Sequence, residues 1–381
     1  MNKRIAITLI EGKQFTGERH YNQCVGVLSP PLPQLMEGEL GIPFPGHLTR
    51  SIVKGYTLYS GKERIELEGE HEAATAVRRI HYDDYMLDAV KGRDIEVLSA
   101  RAVDLEFHAD YLVVYTDSKP VEGEVIVGAF GLDEGSASVF SRVTAYRPPQ
   151  ALSSIVTKYH PGPQGMRTFG NHIHAFLPRH PRIEFGGITP KGNHLTINIA
   201  GRAVDVPLMK QFLKQPLVRK VLPDLEHAGL YDTSDLRFFK GRFPYAQARN
   251  YYGDRYVMVG DASGLVRSFK GKGVTSAVMT GIRAANTILS AGISRSAFKA
   301  HYQQANKDII RDLPYGRAIR LLIIAMARVG ILDRVVRAAH GEPLLREALF
   351  GAVSGHIPYY QVWAKCLTAR SLRAVLRNKG L

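Results

Sequence analysis

The sequence predicts an α/β protein in which a domain of the parallel, doubly wound type begins at the N-terminus and is interrupted by a mainly antiparallel domain. It then resumes and is followed by a helical C-terminal region. Three observations carry this. Short apolar strands mix with helix over residues 1–140 and again over 251–295, residues 141–250 are rich in strands and turns, and residues 296–381 keep a helical period. The expected domains are therefore 1–140, 141–250, 251–295 and 296–381. At 381 residues and 45% hydrophobic content, the chain can bury one large core or two of medium size.

Taken in order, Ile5 to Ile10 is a run of apolar and β-branched residues that reads as a strand ending at Glu11. A helix is expected near 81–91, and YLVVYT and EVIVGAF read as strands. RIEFGGITPKGNHLTINIAG has the pattern of a hairpin turning around Pro190–Asn193. Tyr256 to Val259 forms a buried strand that delivers Gly260 and Asp261 to a loop with glycines at 264, 271 and 273, after which TSAVMTGIRAANTIL has helical periodicity. The stretch LLIIAMA is apolar, but Arg320 and Arg328 bracket it after seven residues. A bilayer span needs ~20 apolar residues, so a core or interfacial helix is expected there.

Two cysteines, Cys24 and Cys366, make neither a disulfide framework nor a metal site, and a reducing, cytoplasmic setting suits them. The net charge of +15 favours anionic partners. No acid follows Glu347, whereas Lys365, Arg370, Arg373, Arg377 and Lys379 interleave with Leu367, Leu372, Val375 and Leu376 at helical spacing. That pattern suits a basic amphipathic helix on an anionic membrane surface, or equally a solvated helix packed on its own protein. Nucleic acid is not an expected partner, because no binding motif or run of stacking aromatics accompanies the charge.

The corner at Gly260–Asp261 has definite chemistry. An aspartate at the end of a parallel strand accepts hydrogen bonds from ligand hydroxyls, and glycines let backbone approach a flat or phosphorylated ligand. A helix beginning near Gly273 presents free N–H groups and partial positive charge, which Lys270 and Lys272 reinforce. A group that becomes anionic on reduction would be stabilised there. On shape alone, a structural turn accounts for the glycines equally well.

The segment VMVGDASGLVRSFKGKGVTSAVMTGIRAA resembles the second flavin motif of the geranylgeranyl reductase family of FAD-dependent oxidoreductases, which have a p-hydroxybenzoate hydroxylase-like fold. The resemblance implies a Rossmann-like FAD domain in which Gly260 and Asp261 hold the ribityl chain. The backbone at Gly271, Lys272, Gly273 and Val274 would then face the pyrimidine end of the isoalloxazine ring. RRIHYDDYML is similar to the family's Arg-x-x-Phe-Asp segment and implies Arg79 near the FAD phosphates, with Asp83 structural. EVIVGAFGLDEGS falls where related flavoproteins carry Ala-Asp-Gly, but Phe130 replaces the aspartate. Cys24-Val25-Gly26 resembles the family's Cys-Gly loop and makes Cys24 a candidate catalytic residue; the alternative is a small buried hydrophobe. Tyr159, His172 and His174 could donate protons or simply be packed.

The family begins with a strand, a Gly-x-Gly-x-x-Gly loop and a helix that bind the pyrophosphate. This sequence instead opens on AITLIEGK, which looks like the second strand, with Glu11 expected to bond the adenosine ribose. The FAD domain is thus expected to be N-terminally truncated, through a start codon upstream of Met1 or through loss of the loop. The resemblance implies reduction of isoprenoid carbon–carbon double bonds in a prenyl lipid, with reduced nicotinamide or ferredoxin as electron donor. A peripheral membrane location and no metal are expected with it. The alternatives are an FAD-dependent monooxygenase of an aromatic or polyketide substrate and a flavin-free lipid-binding protein.

Overall fold

The computed structural model describes residues 5–15, 24–69, 74–222, 236–267 and 272–377. Its largest element is a seven-stranded sheet in the order Phe238–Pro244, Ala151–Tyr159, His194–Gly201, Ile183–Lys191, His172–Leu177, Gly55–Ser60 and Glu63–Glu68. Neighbours are antiparallel except His172–Leu177 with Gly55–Ser60, which run parallel. The expected hairpin is present: Lys191 pairs with His194, and Gly192, at φ +70°, takes the turn. Two strands of this sheet, Gly55–Ser60 and Glu63–Glu68, come from the segment that the sequence assigned to the first domain.

The two faces of this sheet differ because side chains alternate along a strand. Ile155, Tyr159, Ile188, Leu195, Ile197 and Ile199 point to one side, where Leu208, Met209 and Phe212 of the helix Val206–Leu213 close a core. Along the hairpin the residues between them, Thr189, Lys191, His194 and Thr196, alternate onto the opposite side, and all four are buried. At the far end of the sheet, the helices Ile331–Ala339 and Pro343–Ser354 set Leu332, Val336, Leu345 and Leu349 against Leu58, Ile65 and Leu67. Arg320, from the helix Lys307–Arg328, makes a buried bidentate pair with Glu184 at 2.6 and 2.7 Å. Leu321 and Leu322 face out while Ile319, Ile323 and Ala327 face in, so LLIIAMA is half core and half surface. No helix of the described residues is long and apolar enough to cross a membrane.

The parallel part is in two pieces. Thr8–Ile10 pairs with Glu96–Leu98, and Ile126–Gly128 pairs with Tyr256–Met258, which continues antiparallel to Tyr252–Gly253. The N-terminal strand is shorter than expected: Ile5 and Ile7 lie outside it and are about half exposed (55% and 50%). Among the described residues, the second edges of Thr8–Ile10 and Ile126–Gly128 pair with nothing. The two pieces lie near each other, since Lys13, just past the first strand, acts electrostatically on Asp133, just past the third.

Candidate functional site

The corner forms as the sequence pattern suggests. Tyr256–Met258 is buried throughout and ends at Gly260, whose φ is +57° and whose N–H donates to Thr280 Oγ1 at 2.8 Å. A side chain at Gly260 would meet the Ala277 methyl group at 3.1 Å in a left-handed backbone, so the sharp turn and the close helix both require glycine. The Tyr146 hydroxyl donates to Ala262 O at 2.8 Å and that of Tyr302 to Met258 O at 2.9 Å, fixing the turn from below.

Asp261 follows at the mouth. Among the described residues no donor bonds its carboxylate; burial pushes its pKa up, and the charge of Arg79 partly offsets that. Among the described residues it is an acceptor without donors, as hydroxyls of a ligand would require. The helix Gly273–Ala291 starts opposite, close enough that a Cβ on Gly273 would stand 3.4 Å from Asp261 Oδ1. Its first turn has neither a side-chain cap nor an acid, so its N–H groups keep their partial positive charge. Lys272 donates to Pro30 O at 3.2 Å, with its pKa pushed down to about 8 by burial and by Arg267. Val274 packs against the cluster of Leu28, Leu32, Met36 and Tyr82. Gly271 and Lys270 lie outside the described residues.

Arg79 opens the helix Arg79–Lys91 and donates through Nε and Nη2 to Asp83 at 3.1 and 2.7 Å. Asp83 therefore orients the guanidinium rather than reaching a ligand. Cys24 is exposed, within electrostatic reach of both Arg79 and Lys191, and its sulfur accepts from Gly26 N at 3.3 Å. The reading of Cys24 as a buried hydrophobe is thereby corrected. Glu11 stands at the end of the other half-sheet; its carboxylate accepts from Lys13 N at 2.8 Å, and no contact ties it to Asp261 among the described residues.

Phe130 stacks on Phe140 at 5.4 Å and meets Tyr146 edge-on, so it serves the core where related proteins carry an acid. His172 bonds Glu68 at 2.7 Å and Thr57 at 3.2 Å. His174 bonds Tyr59 at 2.9 Å, with its pKa pushed down to about 4 by burial and by its cationic neighbours. Tyr159 belongs to the apolar core on the sheet's other face. All three are packed groups and are not poised as proton donors to the corner.

Missed in the sequence is a set of cations beside Cys24. A Cβ on Gly26 would come within 2.7 Å of Lys191 Nζ, so this ammonium group lies directly on the Cys24–Gly26 loop. Lys158, Arg78 and Arg79 act on the same ammonium group. The signal was there: polar Thr189, Lys191, His194 and Thr196 alternate with apolar neighbours, which marks a second face that something polar must meet.

No family model matches this sequence, and no curated protein matches it. Solved structures do. A flavoprotein/dehydrogenase from Cytophaga hutchinsonii is 16% identical, with 98% of this chain and 93% of that one covered at a TM-score of 0.68. A geranylgeranyl bacteriochlorophyll reductase-like protein from Thermoplasma acidophilum is also 16% identical, covering 98% and 89% at 0.66. A p-nitrophenol 4-monooxygenase from Pseudomonas putida is 10% identical, covering 94% and 92% at 0.66. At such identities the likeness establishes the fold, which is that of the p-hydroxybenzoate hydroxylase-like FAD-dependent oxidoreductases and monooxygenases. The narrower resemblance to geranylgeranyl reductases becomes one relationship among several of similar closeness.

Proposed function

We propose that the chain is an FAD-dependent oxidoreductase acting on a hydrophobic substrate, and that it works as a monooxygenase of an aromatic or polyketide compound. The observation that carries the flavin assignment is the unpartnered Asp261 carboxylate facing the uncapped start of helix Gly273–Ala291, with Arg79 alongside. FAD, when bound, supplies hydride transfer and reaction with oxygen. Asp261 accepts hydrogen bonds from the ribityl hydroxyls. The N–H groups at Gly273 and Val274, with Lys272, hold negative charge at the pyrimidine end of the ring. Arg79, oriented by Asp83, offers its remaining N–H donors to phosphate oxygen. Glu11, at a parallel strand end, takes the adenosine ribose.

Support for oxygen chemistry comes from likeness to the monooxygenase over nearly the whole chain. A second reading, reduction of a prenyl lipid with electrons from reduced nicotinamide or ferredoxin, is favoured by the helix Ala369–Arg377. There Leu372 and Leu376 are 49% and 66% exposed, as suits contact with an anionic membrane surface. Two of the tail's cations are tied down instead, Lys365 to Glu347 and Arg370 to Glu342.

The test is the visible absorbance of protein reconstituted with FAD, followed by oxygen uptake with aromatic substrates against anaerobic oxidation of the reduced flavin by a prenyl lipid. Substrate-dependent oxygen uptake supports the first reading and anaerobic turnover the second. Failure to take up any flavin overturns both and leaves a lipid-binding protein.

A further inference from the structure

The polar face of the seven-stranded sheet carries a cluster that the flavin corner does not use. Lys158 stands opposite Thr196, Thr196 opposite Thr189, and Lys191 opposite His194, so cross-strand pairing sets these five side chains on one face at one end of the sheet. The His160 ring lies 5.2 Å from that of His194, and Arg78, beside the start of helix Arg79–Lys91, acts on Lys158, Lys191 and His194 alike.

This face is expensive to bury as it stands. Lys191 is 4% exposed and makes no ion pair among the described residues, nor does Lys158. His194, 5% exposed, donates through Nδ1 to Asn193 Oδ1 at 3.0 Å, which leaves Nε2 a buried lone pair without a partner in the neutral ring, and the Thr196 hydroxyl is buried without a partner too. Buried polar groups are ordinarily bonded and buried charges ordinarily paired, so the orphaned Thr196 hydroxyl beside a buried ammonium group with no ion pair among the described residues points to a missing acceptor. Burial pushes Lys191 down to about 8, the Cys24 thiol opposes this, and Lys158, Arg79 and Arg78 add to it; no carboxylate appears among the groups acting on it. An oxyanion would answer the lysines and the threonine together, with negative charge for two ammonium groups and an acceptor oxygen for the Thr196 hydroxyl, and its charge would favour a proton on the neighbouring His194 Nε2.

We propose that Lys158, Lys191, His194 and Thr196, with Arg78 at the rim, form an oxyanion site that takes the anionic head of the substrate, a phosphate or carboxylate, while its apolar body reaches the flavin corner. The assignment to substrate rests on the function proposed above; the site itself does not. None of these residues is among those given to FAD, although Arg79 acts electrostatically on Lys191.

The test is thermal unfolding of the full chain at fixed ionic strength with inorganic phosphate, diphosphate or acetate against chloride, with and without FAD. Wild type should be stabilised by at least one oxyanion, with acetate against the two phosphates separating carboxylate from phosphate heads. Lys191→Met should weaken its binding by roughly 10- to 100-fold. Lys158→Met, at a half-buried position safer for folding, should weaken it similarly, and the exposed Lys299→Met should not. The response must be the same with FAD present. Equal responses in wild type and both inner variants overturn the site, and loss of the response on adding FAD overturns its assignment to substrate. A chain that takes up no flavin yet shows the lysine-dependent response overturns the proposed function and leaves the oxyanion site standing.

Discussion

The seven-stranded sheet and the parallel strands behind the flavin corner are built from similar stretches of β-branched residues, yet one is continuous and the other is split. In the first, Ile183–Lys191 has a hydrogen-bonded neighbour on each side and an apolar core beneath. In the second, Thr8–Ile10 pairs along one edge only among the described residues, and Ile5, Ile7 and Val127 show about half their surface to water. An unpaired edge with exposed apolar residues is open to pairing with a further strand. The corner nevertheless keeps its geometry, because Tyr302 bonds Met258, Tyr146 bonds Ala262 and the helix Gly273–Ala291 bonds Gly260. Under the proposed flavin reading, contacts to the ring and contacts to the pyrophosphate would rest on different parts of the fold. On that reading Asp261 and the start of helix Gly273–Ala291 would meet the ring, while the sequence given has no Gly-x-Gly-x-x-Gly loop to meet the pyrophosphate.

The contrast can be broken most decisively by amide hydrogen exchange. Amides of Ile188, Ile197 and Ile199 should exchange about 1,000-fold or more slowly than those of Thr8–Ile10, since central strands open only with the whole domain and edges open locally. Comparable protection in both would mean that the split sheet is complete in solution.

Next in size is Lys191→Met. A buried lysine at about 8 rather than 10.5 binds fewer protons folded than unfolded, so its burial costs stability on the order of 3 kcal/mol at pH 7. The sign follows: the cost is full below pH 8 and fades as pH rises toward 10.5, where the unfolded chain also loses the proton. In the absence of oxyanion, the variant should therefore melt higher than wild type at pH 7, with the gap closing by about pH 10.5. A gap independent of pH would show that packing, not charge, sets the difference.

Asp261→Ala should weaken flavin binding by about 10- to 100-fold, the value of hydrogen bonds to a charged acceptor, with little change in melting temperature. Flavin titration checks it, and unchanged affinity would remove Asp261 from the site. The smallest effect is expected at the surface. Leu376→Glu should lower binding to anionic vesicles by roughly tenfold under the lipid reading, most visibly at low salt, where basic helices bind best. Vesicle sedimentation that is equal for both proteins would leave that helix a solvated one.

Legibility differed between the two regions for the same reason that their completeness does. Local pattern announced the hairpin at Gly192, the turn at Gly260 and the helix at Gly273, because turn chemistry and periodicity act over a few residues. The role proposed for Arg79 comes from the resemblance alone, since an arginine at a helix start carries no mark of what it faces.

What the sequence by itself determined was the class of the fold and the strand–Gly–Asp corner, both written in contiguous residues. Only the tertiary structure decided that Gly55–Glu68 joins the antiparallel sheet, that Phe130 serves the core and that Tyr159, His172 and His174 are packed. It also brought Lys158, Lys191 and His194 together beside Cys24. Cross-strand pairing joins residues far apart in the chain, and the cost of burying a charge depends on neighbours that only the packed sheet supplies.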